Sequence, residues 1–152
     1  MKTKIIKFIV SLAIPQIAGL AGAFFTASSV KTWYQELQRP SLVPPDWTFG
    51  VVWTILFILM GIAFYLIWKK NAKNAMILFF VQLFFNFLWS VIFFGLKSPS
   101  MAFIDLIVLW ILVLLTIIYF YKASRPAAIL LIPYILWISF AGYLNLFIWI
   151  LN

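Results

Sequence analysis

The sequence predicts an all-α membrane protein, a five-transmembrane-helix bundle, and three observations carry that reading. Hydrophobic residues make up 66% of the 152 residues and charged ones only 9%, too little polar surface to hold a domain of this size in water. The apolar residues are gathered into runs of about 20 or more, the length that crosses a hydrocarbon core about 30 Å thick. Most of the cations fall in the short segments between those runs.

The runs place spans at about residues 6–29, 47–69, 74–96, 99–121 and 126–150, together one transmembrane domain. The first lies where a signal peptide would, but it is too long for an h-region and lacks a small-x-small cleavage site before a polar mature domain, so it reads as a span. Within it, the pairs Ala18/Gly22 and Gly19/Ala23 allow another backbone to approach closely, inside the bundle or between subunits. Pro15 is a candidate kink in the same helix. In the second span, Trp53, Phe57, Met60 and Phe64 share one face. The third carries Gln82 and Asn86 four residues apart, with Trp89 further along the same stripe. The fourth is apolar apart from Asp105, about one turn inside, which is placed to reach Lys97 or the headgroups; that suggests a topological role ahead of a proton relay. In the fifth, Tyr134, Trp137, Ala141 and Asn145 again share a face. Trp68 and Trp149, near span ends, suit the interfacial aromatic belt.

The one long connection is Lys31–Asp46, KTWYQELQRPSLVPPD. Pro40, Pro44 and Pro45 fix φ and remove backbone donors, so this segment is expected to follow a stiff, non-helical path. Either a cap over a cavity or a rigid connector fits. Asp46 stands where an N-cap of the second span would.

Eight of the eleven cations (Lys2, Lys4, Lys7, Lys69, Lys70, Lys73, Lys122 and Arg125) fall on one side of the alternating spans, and Lys31, Arg39 and Lys97 on the other. Because cytoplasmic loops hold the basic excess, a multi-pass cell-membrane protein with a cytoplasmic N-terminus and an external C-terminus is expected. The net charge of +8 then meets lipid headgroups, and nucleic acid is not expected as a partner.

With no cysteine and no histidine, disulfides, thiol nucleophiles, zinc sites and the usual haem ligands are excluded, and no metal or cofactor is implied. Glu36, Asp46 and Asp105 are too scattered for paired-carboxylate chemistry, and no Ser-His, lysine-based or phosphate-binding pattern is visible. Two readings remain for the polar and aromatic stripes. One is plain helix packing, with amides bonding across helices at about 0.6 kcal/mol each. The other is a cavity walled by aromatic faces, in which Gln82, Asn86 and Asn145 orient a flat, mostly apolar ligand.

The segments WYQELQRPSLVPPDWTFGVVWTILFILMGIAFYLIW, QLFFNFLWSVIFFG and LIPYILWISFAGYLNLFIWILN resemble the tryptophan-rich sensory protein and translocator protein family, also called the peripheral benzodiazepine receptor family. The resemblance covers essentially the whole chain, with Trp33, Pro40, Pro44, Pro45, Trp47, Trp53, Gly61, Asn86, Trp89, Pro133, Tyr134, Trp137 and Asn145 at the family's motif positions. It implies a five-helix bundle, usually a homodimer, with a ligand cavity open toward the first loop. It also implies binding of porphyrins such as protoporphyrin IX or haem, and of isoquinoline carboxamide and benzodiazepine-type compounds. Tyr34, Pro44, Trp47, Trp53, Gln82, Asn86, Trp89, Trp137, Ala141 and Asn145 are the implied ligand contacts. Trp53 and Trp137 are the photochemical candidates if the chain supports light- and oxygen-dependent breakdown of protoporphyrin; transport of a tetrapyrrole or sterol is a further alternative. The cholesterol motif of animal members is incomplete, since the chain ends GYLNLFIWILN without a basic residue. The absence of histidine and cysteine favours a metal-free porphyrin over haem.

Overall fold

A computed structural model describes residues 1–152. Its helices are α1 (Lys2–Ser29), α2 (Trp33–Glu36), α3 (Asp46–Lys69), α4 (Lys73–Ser90), α5 (Pro99–Ala123), α6 (Arg125–Leu130) and α7 (Ile132–Leu151). The helix begun by α4 runs on through a π-helical segment, Val91–Gly95. Five stretches are long and apolar enough to cross a membrane: α1, α3, Lys73–Gly95, α5 and Arg125–Leu151. They bear out the sequence expectation of an all-α, five-span membrane protein.

Two tight reversals set the order of the helices. Asn71 (φ 52°) and Lys97 (φ 53°) both adopt the left-handed conformation, turning the chain back after α3 and after the π-helical segment. Asn tolerates that conformation; for Lys97 the strain is borne by a three-residue turn, beyond which the Ser98 hydroxyl accepts from the Met101 N–H to cap α5. Around the bundle, α3 packs on α1, α1 on α4, α4 on α5 and α5 on α7, and α6 closes against α3.

Glycines govern the closest of these contacts. A Cβ on Gly61 would lie 2.8 Å from the Leu12 Cα and from the Ser11 carbonyl oxygen of α1, so α1 and α3 cross backbone to backbone. On α1, Gly19 faces the Phe57 ring and Gly22 faces Ser90. Gly19 and Gly22 therefore serve packing inside this bundle.

The end of the bundle away from the Pro-rich loop is solid. Phe64 stacks on Phe79 at 4.6 Å and Phe79 on Phe120 at 6.1 Å, with Met60, Ile67, Val113 and Leu131 buried around them. At this end Lys7 lies over Trp68, Lys69 over Tyr65, Lys122 over Tyr119 and Arg125 over Tyr121. Each cation thus covers an interfacial ring.

Pro15 is buried within α1, which runs on through it. Three local expectations need correction. The fifth span is not one helix: Leu131, at φ −91° and ψ −7°, separates α6 from α7, because Pro133 lacks the N–H that would bond back to Ile129 and crowds the preceding turn. Asp46 is not the N-cap; Pro45 holds that position and Asp46 opens the first turn of α3. Asp105 does not reach Lys97 or the headgroups. It lies on the inward face of α5 with Ala102, Leu106 and Leu109, only 5% exposed, and its carboxyl oxygens have no hydrogen-bond partner in the chain.

Candidate functional site

Toward the loop the bundle is hollow. A cavity of about 580 Å³ lies between the helices, walled by α1, α3, α4, the π-helical segment, α5 and α7. Its interior surface is mainly aromatic and aliphatic, with Lys31 and Asp46 contributing the charged groups.

Trp53 of α3 stacks on Phe57 at 5.4 Å and meets Tyr134 edge-on at 6.2 Å. Trp137 of α7 packs edge-on against Phe49, also of α3, at 5.8 Å. The Trp137 indole N–H has no partner within the chain. Trp89 stacks on Phe93 at 4.9 Å, and its indole N–H donates to Asn145 Oδ1 at 2.9 Å while Asn145 Nδ2 donates to the Pro99 carbonyl at 2.7 Å. That pair ties the end of α4 to α5 and α7. The π-helical segment adds a residue to its turn, and both Phe93 and Phe94 are buried beneath the loop beside Tyr34.

Under the cavity lies a buried polar chain. Asn86 Nδ2 donates to the Tyr134 hydroxyl at 2.8 Å, and that hydroxyl donates to Gln82 Oε1 at 2.7 Å. The two amides stack on one face of α4, as their spacing predicts, but their shared partner is a tyrosine of α7.

The loop is strapped across the top. Arg39 lies 5.0 Å over the Tyr34 ring and pairs with Asp46 at 3.6 Å. Gln35 Nε2 donates to Asp46 Oδ2 at 2.9 Å and to the Val30 carbonyl at 3.0 Å. The Asn152 side chain clamps the backbone of Gln38, accepting from its N–H at 3.0 Å and donating to its carbonyl at 2.8 Å. Burial raises the Tyr34 phenol above its ordinary pKa, with Arg39 opposing, so it stays neutral at physiological pH. Of the two readings of this loop, the geometry is that of a cap. Replacing Asn152 by alanine is expected to speed amide hydrogen exchange at Gln38 about tenfold, the effect of removing a clamp of about 1.4 kcal/mol. Exchange at the wild-type rate would show that the clamp does not hold the loop.

Of the ten ligand contacts expected from the sequence, Tyr34, Trp53, Asn86, Trp89, Trp137, Ala141 and Asn145 line this one cavity. Three do not. Gln82 is beneath it, bonded to Tyr134; Pro44 lines a shallow groove on the loop itself, with Leu37 and Val43; and Trp47 is 72% exposed. The wall contributed by α1, including Gln16, Ala23 and Ala27, was not anticipated, because no polar or aromatic stripe marks it.

The chain matches the model of the TspO/MBR family over residues 11–150. The chain belongs to that family. It is 46% identical to the Tryptophan-rich protein TspO of Archaeoglobus fulgidus, over 97% of this chain and 98% of the relative. Identity to the Tryptophan-rich protein TspO of Chlorobaculum tepidum is 43%, over 100% of this chain and 99% of the relative. The Translocator protein of Bos taurus is 35% identical, over 90% of this chain and 84% of its own length. In this TspO/MBR family member, the strapped loop and the aromatic cavity both lie within the matched residues.

Proposed function

We propose that this protein is a cell-membrane receptor or sensor that holds a flat, mostly apolar tetrapyrrole, with metal-free protoporphyrin IX as the reference ligand, in the cavity beneath the Pro-rich loop. The observation that carries the proposal is that Trp53 of α3 and Trp137 of α7 both line a cavity of about 580 Å³, a volume within the range of small-molecule sites. Aromatic walls suit a planar π-system. The absence of histidine and cysteine argues for a porphyrin without axial ligation. The basic excess at the solid end supports an orientation with that end in the cytoplasm and the loop outside.

Titration of protoporphyrin IX against tryptophan fluorescence tests the site. The wild type is expected to be quenched to saturation. Trp53→Phe with Trp137→Phe should weaken affinity about tenfold to a hundredfold, since each lost aromatic pairing is worth roughly 0.5–1.5 kcal/mol beyond buried area. An unchanged affinity in the double variant would place the ligand elsewhere.

A further inference from the structure

The cavity does not stop at the inner faces of its helices. Its lining runs out to the surface between α1 and α3, through Leu20, Ala23 and Ala27 on one side and Gly50 and Thr54 on the other, all of them exposed. Leu20, 72% exposed, is nine residues before the end of α1 and Thr54 is eight beyond the start of α3. At 1.5 Å per residue the opening therefore descends about 12–14 Å from the loop. That depth passes the interface and enters the hydrocarbon. On the aqueous side the exposed Lys31 and Asp46 also border the cavity, under a loop strapped by Arg39, Asp46, Gln35 and Asn152.

We propose that the gap between α1 and α3 is a lateral portal through which ligands dissolved in the bilayer reach the cavity without passing the loop. This deepens the binding reading above and rests on it for the identity of the cargo: a flat apolar amphiphile that partitions into lipid before it binds. Gly50 is the threshold. A Cβ there would meet nothing within 4 Å, so no helix contact requires the glycine, and a larger side chain would stand in the opening.

The chain contains no cysteine, which permits a test independent of any natural ligand. A single reporter, Ala141→Cys, is placed in the cavity wall of the full chain in lipid vesicles. It is reacted with an uncharged, bilayer-soluble maleimide or with a sulfonated maleimide confined to water. The bilayer-soluble reagent is expected to react faster, and either Gly50→Leu or Ala27→Leu, one on each side of the gap, should slow it about tenfold, corresponding to about 1.4 kcal/mol on the barrier. Both variants keeping the wild-type melting temperature would confirm that folding is intact. Equal reaction with the sulfonated reagent, or no slowing in a folded leucine variant, overturns the portal. Protoporphyrin delivered from preloaded vesicles separates the two proposals: the portal predicts slower association and slower dissociation in Gly50→Leu. A chain that shows the labelling pattern but does not bind protoporphyrin retains the portal and loses the proposed ligand.

Discussion

Gly61→Ala is expected to lower stability by about 2 kcal/mol or more, and Gly61→Leu to prevent the bundle from assembling. In an ordinary helix, alanine is better than glycine by up to about 1 kcal/mol, so the expected sign is set by tertiary contact. The added Cβ would sit 2.8 Å from the Leu12 Cα and the Ser11 carbonyl oxygen. Those are backbone atoms, which cannot rotate away as a side-chain tip can, and α1 would have to part from α3 along their crossing. Close small-residue contact is the main source of cohesion between helices in lipid, where apolar burial offers no advantage over the surrounding tails. Gly50→Ala is the internal control. It lies on the same helix in open space and should be neutral or slightly stabilising. Thermal unfolding of the two alanine variants in one detergent decides the matter, and equal melting temperatures would refute the close crossing.

The second large effect is expected at Tyr134→Phe, which should cost about 1–3 kcal/mol although it removes a single oxygen. That hydroxyl accepts from Asn86 and donates to Gln82, and all three residues are buried. Its loss leaves a donor on α4 and an acceptor one turn away without their partner on α7, and the penalty is desolvation without compensation. Gln82→Leu should cost less. Its Nε2 is already buried without a partner, so removing the amide relieves one defect as it breaks one bond. If Gln82→Leu proved the more damaging variant, the tyrosine would not be the hub. Because neither Tyr134 nor Gln82 lines the cavity, protoporphyrin affinity should move far less than stability in both variants.

The legible part of this protein was its spans and stripes. Trp53, Asn86, Trp89, Trp137, Ala141 and Asn145 reached one cavity because helical periodicity decides which residues share a face. Periodicity does not say how deep along that face a cavity extends, so Gln82 shared the face of Asn86 yet lies below the hollow, engaged by Tyr134. Asp46 and Asp105 were misread for a related reason. Proximity in sequence suggested a cap and a reach to Lys97, whereas Asp46 finds Gln35 and Arg39 across the loop and Asp105 follows the inward face of α5.

The sequence by itself determined the solvent, the number of crossings and the residues that could not be exposed to lipid without cost. Those properties are additive along the chain: each apolar residue contributes to span length and each helical turn to a face. Only the tertiary structure decided that α1 supplies a cavity wall, that the π-helical segment buries Phe93 and Phe94 beneath the loop, and that Asn152 clamps Gln38 from 114 positions away. Such pairings depend on how far apart helices stand and where they cross. That is settled by a backbone contact at Gly61 and a missing N–H at Pro133, neither of which a periodic pattern records.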